Sequence, residues 1–187
     1  LRTLMPDEPE VAGLLALMLL TDARRPARLD AGGALVTLDA QDRTLWDREK
    51  IAQGHALVRE CLQHDRPGHY QLLAAVNAVH TDAATASATD WGQVLALYDQ
   101  LLAITPTPVV ALNRAVALAE VAGPEAALAV VDGLRLEGYH PFHATRADLL
   151  RRLGRRSDAV AAYQRALELA TNPAERAFLE RRCAQVS

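Results

Sequence analysis

The 187 residues carry 20 Lys and Arg against 23 Asp and Glu, a formal net charge of −3; 50% are hydrophobic and only 4% aromatic. A mildly acidic chain lacks the basic excess that phosphate neutralisation needs, which speaks against nucleic-acid binding by this segment itself. Two cysteines, Cys61 and Cys183, are too few for a disulfide framework and point to a reducing compartment, the cytoplasm.

A core poor in aromatics must be built from Ala, Leu and Val, which suits close helix pairs better than a β-sandwich. The chain begins at Leu1 inside a polar–apolar pattern and is read as a fragment preceded by partner domains. The first helix is expected from about Pro9 to Arg25, with acids at its start, basic residues at its end and Pro26 stopping it. Its apolar stretch, Val11 to Leu20, is too short to cross a bilayer and lacks the flanks of a signal peptide. Asp30 to Gly33 reads as a turn, Ala34 to Leu38 as short and extended, and Leu45 to His64 as the second helix.

From Pro67 the pattern becomes monotonous. Helices are expected over His69–Asp82, Trp91–Ile104, Val109–Val121, Glu125–Leu134, Phe142–Leu153, Asp158–Ala170 and Pro173–Gln185. The Asp158 segment is the cleanest: Ala159, Ala162, Tyr163, Ala166, Leu167 and Ala170 form one stripe while Gln164, Arg165 and Glu168 face away. Tyr98, Val131 and Tyr163 recur 33 and 32 residues apart, and Arg114, Arg146 and Arg176 recur 32 and 30 apart. Gly123 and Gly154 close the alternate helices. A helical hairpin repeated about every 34 residues is the tetratricopeptide pattern, although the usual Trp near each repeat start is missing. The fold expected is all-α: antiparallel helix pairs stacked as a tetratricopeptide-like right-handed solenoid. Residues 1–66 form an N-terminal helical segment and 67–187 the repeats.

The register suggests two contacts between successive helices. Asp99 and Arg114 are about equally far from the turn at Pro106, as are Asp132 and Arg146 from Tyr139. Both are expected to be Asp–Arg pairs; Gln164 against Arg176 could only hydrogen-bond.

Chemistry-bearing motifs are sparse. There is no phosphate-binding glycine loop and no nucleophile elbow, so no enzymatic activity and no cofactor are expected. Cys61 and His64 stand one helical turn apart, with His55 and His69 nearby, but the zinc spacing is incomplete and a core cysteine with surface histidines is the simpler reading. His140 and His143 read as loop histidines, and Trp46 and Trp91 as packing anchors at helix starts. His80 with Asp82 or Asp90 is the best acid–base combination for an enzyme, and a weak one. A pocket for a small molecule would draw on Tyr70, Trp91 and Tyr98. The basic run Arg24, Arg25 and Arg28 could meet an acidic partner surface or nucleic acid beside a neighbouring domain. The groove lined by first helices of a repeat stack would carry Asn113, Glu120, Asp148, Arg151 and Arg152. Arginine supplies almost all the positive charge, with Lys50 the single lysine, and this is read as a coding bias.

Several ordered stretches carry a family resemblance. They are Pro6-Asp-Glu-Pro-Glu-Val11, Leu14-Leu-Ala-Leu-Met18, Asp22-Ala-Arg-Arg-Pro-Ala-Arg28, Gln41-Asp-Arg-Thr-Leu-Trp-Asp47, Tyr70-Gln-Leu72 and Thr89-Asp-Trp91. Leu97-Tyr-Asp99, Pro108-Val-Val-Ala-Leu-Asn-Arg-Ala-Val116 and Gly138-Tyr-His140 complete the set. The set resembles the C-terminal extension of bacterial extracytoplasmic-function sigma factors that carry a tetratricopeptide-like domain. The resemblance implies a regulatory protein-interaction domain that modulates transcription initiation. Its partners would be the RNA polymerase core, sigma regions two and four in cis, or a regulatory protein. Promoter DNA would be met only through regions preceding Leu1, and no membrane is involved. One departure is Pro141, which puts the start of its helix in question.

Overall fold

The computed structural model describes residues 8–63 and 67–186; among them are nine α-helices, four short 3-10 turns and one isolated β-bridge, Leu29 with Leu35. The fold is all-α and built of antiparallel helix pairs. The chain forms two compact units, one of Leu1–Arg28 with Thr37–Pro106 and the other of Leu29–Val36 with Thr107–Ser187. The sequence-drawn division at residue 66 falls inside the first unit.

The first unit holds α1 (Pro9–Asp22), α2 (Arg48–Leu62), α3 (His69–Asp82) and α4 (Trp91–Ile104). The helix expected from Leu45 starts later because Asp42 first closes a 3-10 turn over Arg43–Leu45. Asp47 then caps α2 by accepting from the amides of Glu49 and Lys50. Asp90 caps α4 by accepting from Gln93 N. Gly68 gives α3 no side-chain cap, and Glu10 supplies one from α1, accepting from Tyr70 N at 2.9 Å and Gln71 N at 3.2 Å. α1 approaches both neighbours through glycine: a Cβ on Gly13 would sit 2.7 Å from Gln71 N, and one on Gly54 2.6 Å from Leu20 Cγ. Leu20, Trp46, Ile51, Leu57, Val58 and Ala74 fill the core.

The second unit holds α5 (Pro108–Val121), α6 (Pro124–Asp132), α7 (His140–Arg152), α8 (Arg156–Leu169) and α9 (Pro173–Val186). Gly123 and Gly154, at φ of 90° and 73°, make the left-handed turns between α5 and α6 and between α7 and α8. Pro141 sits in the first turn of α7, where its missing N–H costs nothing, so the departure noted in the sequence leaves the helix start intact. Buried alanines at 115, 119, 147, 159 and 166 let the hairpins approach, and Leu112, Val131, Leu150, Tyr163 and Leu179 fill the space between them. Residues 29–36 belong to this unit. Leu35 N donates to Ala174 O at 3.3 Å, and Arg181 pairs with Asp30. The extended stretch expected over Ala34–Leu38 reduces to the Leu29–Leu35 bridge, and Leu38 opens a 3-10 turn.

Candidate interaction surface

On α5, Val109, Asn113, Val116 and Glu120 are exposed and spaced so that they line one side of the helix. Val109 and Val116 keep 38% and 39% of their surface in solvent, where a buried stripe would hide them. Arg152 of α7 reaches α5, donating Nη1 to Glu120 Oε1 at 2.6 Å and Nη2 to Ala119 O at 3.1 Å. Asp148 accepts two bonds from Arg151, at 2.7 and 3.1 Å, and lies 4.0 Å from Arg182 of α9. Burial and the Asp148 carboxylate both push the Tyr163 phenol up, burial more. Four of the five proposed groove residues are thus in ion pairs, in two separate groups: Glu120 with Arg152 between α5 and α7, and Asp148 with Arg151 on α7 and Arg182 of α9. Asn113 stands apart on the exposed side of α5. The sequence reading did not single out Val109, Val116 or Arg182; the two valines share a side with Asn113 and Glu120, which was the available signal.

Arg146 Nε donates to Asp132 Oδ1 at 2.7 Å, joining α6 to α7. Asp99 and Arg114 fall in different units. Arg176 makes its contact elsewhere than Gln164, donating Nη1 to Leu167 O at 2.7 Å and Ala170 O at 3.1 Å at the end of α8.

Arginine at a helix C-terminus recurs. Arg28 donates to Thr21 O at the end of α1, and Arg43 to His80 O and Ala83 O, at 2.8 and 2.7 Å, at the end of α3. A guanidinium fork there satisfies carbonyls with no intrahelical donor and sits at the negative end of the dipole. The abundance of arginine therefore has structural work to do beyond coding bias. Within the basic run, Arg24 is half-buried and donates to Asn77 Oδ1 at 2.8 Å, Arg28 caps α1, and Arg25 is the exposed member, 4.0 Å from Asp22. Lys50 bridges Asp22 at 2.7 Å and Asp47 at 3.4 Å.

The histidines are engaged locally. His55 shares a bond with Thr81 Oγ1 at 2.8 Å, His69 with Thr105 Oγ1 at 3.2 Å, His140 approaches Glu175 at 3.3 Å, and His143 donates to Glu137 O. His64 lies outside the described residues. Cys61 is buried with Sγ 3.8 Å from Pro9 O. Among the described residues no group of three His, Cys, Asp or Glu side chains could hold a metal ion. No helix there is long and apolar enough to cross a membrane.

His80 is buried edge-on to Trp91, with ring centroids 5.2 Å apart. Burial, reinforced by Arg24 and Arg43, lowers its pKa to about 4. Asp90 is occupied as the α4 cap and Asp82 is exposed, so neither is paired with the imidazole as an acid–base couple. Of the residues suggested for a small-molecule pocket, Tyr70 is exposed, while burial raises the Tyr98 phenol.

Residues 1–62 match a family of unknown function (DUF6596), and residues 147–177 match the tetratricopeptide repeat family. The chain is 48% identical over 178 residues to an uncharacterized protein, R00370, of Rhizobium meliloti (strain 1021). That alignment covers 94% of this chain and 42% of the relative, so the chain spans about two-fifths of the relative's length. No solved structure matches. The chain is a helical repeat protein, and its tetratricopeptide-like region is of the kind that supports protein–protein interaction.

Proposed function

We propose that this chain is the regulatory protein-interaction region of an RNA polymerase sigma factor, non-enzymatic and cytoplasmic, acting on transcription initiation through contacts with sigma regions two and four, the polymerase core or a regulator. The observation that carries the interaction reading is the side of α5, where Val109, Asn113 and Val116 stand exposed on the same side as Glu120, itself paired with Arg152 of α7. The paired charges hold their side chains in place before any partner arrives, which lowers the ordering cost of binding. The exposed valines and Asn113 offer apolar area and an amide, unpaired among the described residues, to an extended segment. The ordered sequence resemblance, and a relative more than twice as long, support the sigma-factor assignment.

The test uses the intact protein with Asn113→Ala and Val116→Glu introduced together. Retention of core polymerase and output from the cognate promoter are measured. A tenfold or greater change in either is expected, since about 1.4 kcal/mol corresponds to that factor. Unchanged retention and unchanged output, in a variant with native helicity, would sink the reading.

A further inference from the structure

A cluster in the first unit is built like a binding site and is independent of the surface on α5. It lies where the ends of α1 and α3 meet the turn into α2 and the first turn of α4. Asp47 N bonds to Ala23 O at 3.0 Å, Arg43 bonds to the carbonyls ending α3, and His80 packs on Trp91. Arg43 also stacks over Trp46, 4.4 Å from the ring centroid.

Charge and hydrogen bonding are both left unbalanced here. Arg24 Nε, Trp46 Nε1 and His80 Nδ1 are buried and have no hydrogen-bond partner among the described residues. Trp46 is 3% exposed and His80 9%. An indole N–H and a guanidinium Nε–H can only donate, so what is missing is an acceptor. Buried donors left unpaired are costly, and the two half-buried guanidiniums beside them have no carboxylate partner among the described residues. The neighbouring carboxylates are committed elsewhere: Asp22 and Asp47 to Lys50, Asp42 to Thr44, and Asp90 to the α4 amide. Arg43 already gives Nη1 to two carbonyls, and Arg24 gives Nη2 to the neutral Asn77.

We propose that Arg24, Arg43, Trp46 and His80 form a site for a small oxyanion, the carboxylate or phosphate group of a small molecule. Arg24 is the principal ligand, Trp46 Nε1–H a second donor, and the two tryptophans the walls. The burial of Trp46 and His80 selects a small group over a protein side. Such a ligand would bind the folded first unit and not the unfolded chain, and so would stabilise it.

The two tryptophans, Trp46 and Trp91, are the only ones in the sequence and both belong to the cluster, so their fluorescence reports on it directly. The protein is titrated with inorganic phosphate and with acetate, each against sodium chloride at matched ionic strength. A saturable fluorescence change with a rise in unfolding midpoint is expected. Phosphate alone acting identifies a phosphoryl ligand, acetate alone a carboxylate, and both a general oxyanion site. Arg24→Gln should weaken binding at least tenfold without lowering stability in anion-poor buffer, because it removes a half-buried charge whose side-chain partner, Asn77, is neutral. Trp46→Phe, read through Trp91, should also weaken binding while keeping the core filled. No saturable response beyond the chloride control, or unchanged affinity in both variants, overturns the proposal.

Discussion

In the first unit α1 lies against α2 and α3 across Gly13 and Gly54, and Gln71, His80, Thr81 and Thr89 are buried there. In the second, alanines carry the close contacts, and no side chain of a comparably polar kind is buried among the described residues. Alanine gives close approach with little penalty to the helix, whereas glycine gives closer approach and costs helix stability. A guanidinium closes a helix end in both units, Arg43 at α3 and Arg176 at α8; what the first unit adds is a carboxylate from α1 capping α3. A unit assembled from particular contacts can hold a polar cluster inside; a unit assembled from repeated ones presents its polarity outside.

The sharpest way to break this comparison is Tyr163→Ala. Tyr163 is 2% exposed between the hairpins of the second unit. Removing it should cost about 3–5 kcal/mol through lost burial and the cavity left behind. Both tryptophans lie in the first unit, so far-UV circular dichroism should show an early transition that tryptophan fluorescence does not share. Coincident transitions would mean that the units unfold as one, and the contrast between them would lose its thermodynamic meaning.

Acid should distinguish the units next. His80 has its pKa lowered to about 4, so on acidification the unfolded chain takes up a proton near pH 6.5 while the folded unit does not. The stability this gives is full above about pH 6.5 and lost as pH falls to about 4, roughly 3 kcal/mol in all. Burial lowers His55 as well, in the same direction. Urea midpoints followed by tryptophan fluorescence should therefore fall across that window, and His80→Leu should flatten the fall. A slope unchanged in His80→Leu would place the acid sensitivity elsewhere.

Helix limits were legible wherever the capping chemistry is local. α4 spans the residues expected because Asp90, just before it, caps its first turn. The Asp132–Arg146 contact could be counted from its turn, since both residues flank one connection. What stayed hidden depends on contacts far apart in sequence. Nothing near residues 29–36 says that they belong with α9, and nothing near Arg43 or Glu10 says which helix end each will close. Val109 and Val116 drew no notice in the sequence because an apolar residue in a helix gives no sign of exposure until its neighbours are known. The buried cluster at Arg24 escaped for the same reason: its members are contributed by four separate segments.

Gly13→Ala sharpens the account of the first unit at smaller scale. Alanine improves helix propensity by about 1 kcal/mol, but its Cβ would meet the backbone of Gln71, which cannot rotate away. Displacing α3 should cost about 2–3 kcal/mol, leaving net destabilisation of about 1–2 kcal/mol by tryptophan-monitored urea unfolding. A neutral or stabilised Gly13→Ala variant would show that α1 and α3 are not packed at glycine distance.

The smallest effect belongs to the second unit and concerns what its surface charges do. Asp132→Asn breaks the ion pair to Arg146, whose side chains keep 44% and 31% of their surface exposed. Pairs of that kind contribute about 0.2–1 kcal/mol, further reduced by salt, so the loss should be near 0.5 kcal/mol and vanish at high ionic strength. Arg176→Met removes a helix-end cap instead, leaving the Leu167 and Ala170 carbonyls to water, and should cost about 1 kcal/mol with weaker salt dependence. The two substitutions together ask whether arginine acts in the repeats mainly as a charge or as a donor to carbonyls. If circular-dichroism midpoints show the same salt-sensitive loss for both, charge dominates; if Arg176→Met stands apart and resists salt, the arginines are part of how the helices end.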